Sequence, residues 1–282
     1  MKINFYDVEH GSCTHIITPY GKHILVDVGS KSDRSIIAHI KNKYFRGNYY
    51  GRIDELIITH PHEDHIYDLP ALCNCLKPKI LHRPIEAFDI TPSADTQLHK
   101  EIAKCANDMN RDYNSPVDTE NNPLNPKNNG GVEVEIITSL SSETTKSDLN
   151  TFSNIIIVKY LEYKFVLTGD NSKSILQKMM DINKDNIKQK IANATVLLAP
   201  HHGRTGEFCK DFFNYVNPIL TVVSDKSIVH TTQEETSSVY KGRGASLYNS
   251  NRYVLTTRND GTITFNVQSE NSCTVSLNEE VY

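Results

Sequence analysis

The chain is 282 residues long, with 30 Lys and Arg against 34 Asp and Glu and a formal charge of −4; that balance argues against an extended nucleic-acid surface, though not against a local basic rim around a pocket. No apolar stretch is long enough to span a bilayer, and no secretory signal pattern opens the sequence, so membrane-spanning and exported classes are set aside. The cysteines, Cys13, Cys73, Cys75, Cys105, Cys209 and Cys273, show neither metal-knuckle spacing nor a disulfide framework, and read as reduced thiols of a cytoplasmic protein.

In chain order, residues 3–6 and 13–17 read as strands, and Pro19-Tyr20-Gly21-Lys22 is a hairpin signal before a third strand at 23–27. Between the first two lies the turn Asp7-Val8-Glu9-His10-Gly11-Ser12-Cys13, where His10 is either a solvated turn residue or a functional one. Asp27-Val28-Gly29 closes the third strand with an acid and a glycine. Residues 33–44 have helical periodicity, with Ile36, Ile37, Ile40 and Tyr44 on one stripe. Leu56, Ile57 and Ile58 then form a short apolar run suited to a buried strand, which ends in His60-Pro61-His62-Glu63-Asp64-His65. Pro61 disfavours helical geometry at His60 and supplies no backbone donor, so the chain must turn there. In an extended segment, residues two apart point the same way, so His60 and His62 can face one point in space. Asp64 and His65 begin the next segment and can face a second. Imidazole and carboxylate together suit zinc or another first-row divalent ion.

Beyond this stretch we expect a helix through 69–75, a strand at 79–81, and a helix carrying Leu98, Ile102, Cys105 and Met109. Residues 112–131 are rich in Asn, Pro and Asp, and read as a plain insertion loop or the edge of a lid. The second half restarts with strands at 132–137, 153–159 and 164–167, the last running into Thr168-Gly169-Asp170. A helix at 173–180 precedes a strand at 194–199 that ends in Pro200-His201-His202-Gly203-Arg204. A helix near 208–215 and a strand at 219–224 follow. Residues 253–257 and 262–265 read as a hairpin around Asn259-Asp260-Gly261. Each half gives strands followed by helices, compatible with two stacked sheets.

Separate buried strands thus end in metal-type residues at 60–65, at Asp170 and at His201-His202. A shared sheet edge would bring such ends together and hold them on the scaffold. The Asp170 carboxylate can bridge two ions, and ions roughly 3.5–4 Å apart polarise a phosphoryl or carbonyl oxygen and deprotonate a water near neutral pH.

His60-Pro61-His62-Glu63-Asp64-His65 matches the HxHxDH signature of the metallo-β-lactamase superfamily. The surrounding residues resemble more specifically the hydrolase domain of ComEC-type competence proteins. Residues 6–13 resemble its DVGxG turn and Ile24-Leu25-Val26-Asp27-Val28-Gly29 its LIDxG strand. Asn150-Thr151-Phe152-Ser153 resembles its NxxS element, Leu167-Thr168-Gly169-Asp170 its LTGD, and His201-His202-Gly203 its HHG. The similarity covers about residues 3–225. It implies an α/β fold, an αββα sandwich of two mixed sheets flanked by helices, over a single domain at 1–282 with a polar insertion at about 83–131. It further implies that His60 and His62 hold a first metal, Asp64 and His65 a second, that Asp170 bridges, and that His202 completes the second site, leaving His201 on the substrate side. Many superfamily members have another histidine before the bridging acid; this chain has residues 150–153 there, so the first metal is bound more weakly, or His10 reaches in, or water fills the gap. His230 is a further candidate for the pocket rim.

The leading functional expectation is a metal-dependent phosphodiesterase or nuclease with two divalent ions, Zn or Mn, acting on a nucleic acid or nucleotide. Asp64, His201, His10 and Arg204 are its candidate catalytic groups, the last suited to clamping a phosphate. Arg243, Arg252 and Arg258 are candidates for a local basic rim. The alternatives are a thioester, ester or lactam hydrolase, whose carbonyl chemistry the motif equally permits, and a metal-stabilised subunit of a larger assembly. Oxygen reduction at a di-iron centre would want a fuller ligand set. A protein partner or a homo-oligomer stays open.

Overall fold

Short β-branched runs separated by turns build the strands, and the computed structural model describes residues 1–31, 33–46, 51–88, 96–226 and 236–279. In chain order these are β1 (Lys2–Phe5), β2 (Thr14–Ile17), β3 (His23–Val26), α1 (Ile36–Tyr44), β4 (Glu55–Ile57), α2 (Glu63–Ile66), α3 (Leu69–Cys75), β5 (Ile80–His82), α4 (Gln97–Asp112) and α5 (Pro126–Asn129). Then come β6 (Glu133–Ile137), β7 (Ile155–Tyr160), β8 (Tyr163–Leu167), α6 (Lys173–Asp181), α7 (Ile187–Ile191), β9 (Val196–Leu198), α8 (Lys210–Val216) and β10 (Leu220–Val223). The last are α9 (Thr236–Val239), β11 (Ala245–Leu247), β12 (Ser250–Arg252), β13 (Val254–Thr256), α10 (Thr257–Asp260), β14 (Thr262–Ser269) and β15 (Ser272–Glu279). No described helix is long and apolar enough to cross a membrane.

One sheet runs β15-β14-β1-β2-β3-β4-β5 and the other β13-β10-β9-β8-β7-β6. Both are mixed: β3-β4-β5 and β8-β9-β10-β13 are parallel, and the remaining pairs antiparallel. The period of two along each strand sorts its side chains between two layers. Ile3, Phe5, Ile24, Val26 and Ile57 meet Ile156, Val158, Phe165, Leu198 and Val222 between the sheets. Leu25, Leu56 and Ile58 face outward onto Ile36, Ile40, Leu72 and Ile102 of α1, α3 and α4. On the far side Ile157, Val166 and Leu197 pack on Leu176, Met179, Ile191 and Phe212 of α6, α7 and α8. The result is an αββα sandwich, as expected. Side-chain caps set the helix starts: Ser35 Oγ accepts from Ala38 N at 3.0 Å and Thr96 Oγ1 from His99 N at 3.1 Å.

Two sequence expectations change. The proposed C-terminal hairpin does not exist, because β13 pairs parallel with β10 in one sheet while β14 pairs antiparallel with β1 in the other. Residues 257–260 form the helical turn α10 instead of a hairpin loop, and Asp260 is taken by Arg252 at 2.7 Å. The hairpin partner of β14 is β15. The Asn-rich stretch is also not a lid edge where it ends. Asn129 is buried with its amide on Pro123 O and Val132 O, and Asn129 O accepts from Tyr20 N. That contact lies beyond the Ile17 end of β2, whereas the histidine-bearing turn at residue 10 precedes its Thr14 end. Asparagine side chains substitute for the missing backbone partners there, which compositional reading scores as disorder.

Under α1 lies a second, non-metal histidine cluster. Tyr6 Oη lies 3.2 Å from His15 Nδ1 and His15 Nε2 lies 2.9 Å from His23 Nδ1, a chain of hydrogen bonds that two neutral rings can complete. Burial lowers the pKa of both; His23 and nearby lysines depress His15 further, whereas at His23 the Asp54 carboxylate opposes burial without reversing it. Below about pH 6.5 the unfolded imidazoles take up protons that the folded rings refuse, so this stabilisation is full above that pH and shrinks as pH falls. The destabilisation caused by His15→Leu should therefore narrow by about 1 kcal/mol between pH 7.5 and 5.5. Urea unfolding of both proteins at the two pH values measures it, and a constant difference refutes the assignment.

Candidate metal centre

The C-terminal ends of β4, β8, β9 and β10 open on one edge of the sandwich, and the chain leaves each strand through a constrained turn. After β9, His201 and His202 both adopt left-handed backbone (φ 48° and 54°), a costly conformation for residues with a Cβ. It is held by His201 N on Gly169 O at 3.2 Å and by His202 Nδ1 on Ser224 O at 2.8 Å. After β3, Asp27 is likewise left-handed, with φ 58°. Its carboxylate accepts from Thr59 N and Thr59 Oγ1, each at 2.8 Å, and from His65 Nδ1 at 2.8 Å.

These contacts fix which ring nitrogen faces inward. Thr59 Oγ1 gives its proton to Asp27 and so accepts from His60 Nδ1 at 3.1 Å. His60, His65 and His202 thus commit Nδ1 to an acceptor behind them and present Nε2 to the cleft. His62 instead turns Nδ1 to His60 Nε2 at 3.1 Å. Asp170 stands in the centre, 3.2 Å from His65 Nε2, 3.6 Å from His202 Nε2 and 3.9 Å from His60 Nε2. Asp64 Oδ2 lies 3.1 Å from His202 Nε2.

Two overlapping donor groups result, Asp64-His65-Asp170-His202 and His60-His62-Asp170, with the ligand atoms of each within 4.8 Å of one another. The donor set fits divalent ions. His65 Nε2 is buried without a hydrogen-bond partner against the Asp170 carboxylate, and imidazole nitrogen with carboxylate oxygen suits first-row metals. Electrostatics agree. Burial lowers the pKa of His65, but Asp170 and Asp27 more than reverse it and raise it well above the usual value. His202 is likewise raised, by Asp170 and Asp64 against burial. Asp170 stays well below the carboxylate range, because His65 and His202 outweigh its burial. His60 is pushed far down by burial, with His65 adding to it, and stays neutral. Divalent ions would take over the charge balance now shared between His65, His202 and the acids.

The site opens into a cleft of about 600 Å³ whose wall includes His10, His62, Asp64, Asn150, His201 and Arg204. His10 places Nε2 3.4 Å from Asp64 Oδ2 and Nδ1 3.4 Å from Asp225 Oδ1, with its ring 4.4 Å from that of His202. His201 Nε2 is 3.8 Å from Asp170 but belongs to neither donor group. The structure does not gather the expected basic rim. Arg243 binds Asn217 O, Arg252 binds Asp260, and Arg258 approaches Asp225 at 3.8 Å, while the cations on the cleft wall are Arg204 and Lys226. Asp225, Lys226 and Ser224 escaped sequence reasoning, although a strand ending in Ser-Asp was a usable signal. His230 lies outside the described residues.

A model of the metallo-beta-lactamase superfamily matches residues 6–208. Among solved structures, Tm1679, a metal-dependent hydrolase of the beta-lactamase superfamily, superposes with a TM-score of 0.52 at 15% identity, covering 95% of this chain and 100% of that one. YhfI from Bacillus subtilis, a metallo-beta-lactamase fold protein, gives 0.47 at 12% identity over 93% and 98% of the two chains. Yeast PDE1 gives 0.44 at 11% identity over 90% and 97%. No curated protein sequence matches the chain. At these identities the structural likeness concerns the fold.

Proposed function

The chain belongs to the metallo-β-lactamase superfamily, and on that footing we propose that it is a two-metal phosphodiesterase or nuclease. The observation that carries this reading is the pair of donor groups sharing Asp170 at one sheet edge. The metal ligands in this reading are His60 and His62 for the first ion, Asp64, His65 and His202 for the second, and Asp170 for both. A pair of divalent ions bound there supplies Lewis acidity and a water acidic enough to be a nucleophile near neutral pH.

The chain's own residues do the rest. Asp27, Thr59 and Ser224 O hold the imidazoles in one tautomer, so the ligand nitrogens need no reorientation. Arg204 and Lys226 on the cleft wall meet the negative charge of a phosphodiester. His10 is steadied by Asp225 at one nitrogen and turns the other towards the reacting groups, the place from which a departing alkoxide takes its proton. His201 lies across the cleft beside Asp170 and contacts the substrate from that side. The shorter motifs that resemble ComEC-type hydrolase domains add support for a nucleotide or nucleic-acid substrate.

The test is turnover of bis-p-nitrophenyl phosphate, a thioester and nitrocefin by protein loaded with Mn or Zn, beside a His62→Ala, Asp64→Ala double variant. Phosphodiester turnover, lost by at least about 10³-fold in the variant, is the expected result. Turnover of carbonyl substrates alone shifts the assignment to ester, thioester or lactam hydrolysis. No turnover and no bound metal leave an interaction module.

A further inference from the structure

The two donor groups are unequal: one draws on Asp64, His65, Asp170 and His202, the other on His60, His62 and Asp170 only. We propose that the side-chain oxygen of Asn150 is the remaining protein ligand of the first ion, which makes that position the weaker and harder of the two. The inference rests on the two-metal reading above and adds to it a ligand and a difference between the sites.

Asn150 Oδ1 is buried and has no hydrogen-bond partner. A carbonyl oxygen removed from water and left unpaired is costly unless something else binds it. The residue shares the cleft wall with His62 and Asp170, two members of the smaller group. Its turn is fixed in place. Asn150 lies in the 3-10 turn Leu149–Phe152, whose start is capped by Asp148 Oδ1 on Asn150 N at 3.1 Å. Asn150 O accepts from Ser153 N at 3.0 Å. Ser153 Oγ accepts from Asp170 N at 3.2 Å, and Asn154 N donates to Thr59 O at 3.1 Å. The turn is therefore stitched to Thr59, the residue before His60 of the first group, and to the shared acid Asp170.

The other groups that could close the first site are placed elsewhere. His10 stands against Asp64, Asp225 and the ring of His202, on the second group's side. His201 approaches Asp170 at 3.8 Å, yet its ring nitrogens do not join those of His60 and His62 in one cluster. Asn150 offers the unpartnered side-chain oxygen on the cleft wall; His201 also has an unpartnered ring nitrogen, but it stands outside both donor groups.

An amide oxygen is neutral and hard. It donates less to a borderline ion such as Zn²⁺ than an imidazole does, and suits an ion that accepts oxygen ligands and water, such as Mn²⁺. The two positions should then load in order, the second before the first. The first should show a smaller advantage of Zn²⁺ over Mn²⁺.

Calorimetric titration of the metal-free full chain with Zn²⁺ and with Mn²⁺ reads both events without turnover. Wild type should bind two ions with separable affinities. Asn150→Ala should weaken the looser event by roughly 10–100-fold and leave the tighter one unchanged. Asn150→His should tighten the looser event, more for Zn²⁺ than for Mn²⁺, and circular dichroism confirms that each variant folds. Co²⁺ visible spectra at one and two equivalents give an independent signature, the second increment changing in Asn150→His and the first not. Binding of two ions that Asn150→Ala leaves unaltered overturns the proposal while sparing the two-metal reading. A rise in KM with unchanged metal affinities makes Asn150 a substrate contact and also overturns it. Failure of wild type to bind any ion removes both.

Discussion

Replacing Asp170 with Asn should abolish turnover, lowering kcat/KM by at least about 10³-fold, a transition-state loss of roughly 4 kcal/mol. The substitution is nearly isosteric, and the residue's backbone N–H on Ser153 Oγ survives it, so the fold should persist. What disappears is the negative charge that sits among His60, His65 and His202. A neutral amide cannot bridge two cations, and its nitrogen brings two N–H donors towards imidazole nitrogens meant to bind metal. The same charge holds the pKa values of His65 and His202 up in the metal-free site, so their imidazole signals should titrate at lower pH in the variant. Asp64→Asn touches only the second group and should lose one ion where Asp170→Asn loses both. Metal stoichiometry on the purified variants decides this. Wild-type turnover in Asp170→Asn, with both ions retained, would rule out a shared centre.

That experiment concerns residues that were legible in the sequence because each is a chemically distinctive side chain at the end of an apolar run. His60 to His65, Asp170 and His202 announce themselves by type and spacing, and the sheets then bring them within bonding reach. Asp225 carried a weaker signal, an acid just past a strand, and Asn150 stood out by the NxxS resemblance and by its place before the bridging acid, where many superfamily members carry a histidine. An acid after a strand and an asparagine in a polar stretch are ordinary until long-range packing places them beside a cleft. The misread hairpin has the same origin. Asn259-Asp260-Gly261 satisfies local turn chemistry, but β13 gains more by extending the parallel set beside β10, and Arg252 on Asp260 stabilises the helical turn that lets the chain change sheets. Pairing across sequence distance outweighs a local turn preference, and no short window contains that information. The Asn-rich segment fails for a related reason, since Asn129 is anchored by partners that only the folded chain supplies.

Gly29→Ala should damage the protein in two ways at once, because this glycine is where the metal-bearing turn is pressed against the sheet. A Cβ there would stand 2.2 Å from Asp64 O and 2.8 Å from both Ser12 N and Ser12 O. All of these are backbone atoms, so no side chain can swing aside to relieve the clash. The seam is tightly bonded: Gly29 N donates to Ser12 O at 2.8 Å, Val28 N to His65 O at 2.8 Å, and Ser12 N to Asp64 O at 3.2 Å. Making room for one methyl therefore moves Asp64 and His65 relative to Asp170 and His202. Overpacking of this kind costs about 3 kcal/mol, which for a chain of this size lowers the melting temperature by roughly 6–12 °C. A ligand displaced by about 1 Å loses about 100-fold in rate even where the fold survives. Gly206→Ala is the matched control, since its Cβ meets nothing within 4 Å. If Gly29→Ala melts and turns over like Gly206→Ala, then the close approach of Asp64 to this strand end does not position the metal ligands, and their register must be set from β8 and β9 alone.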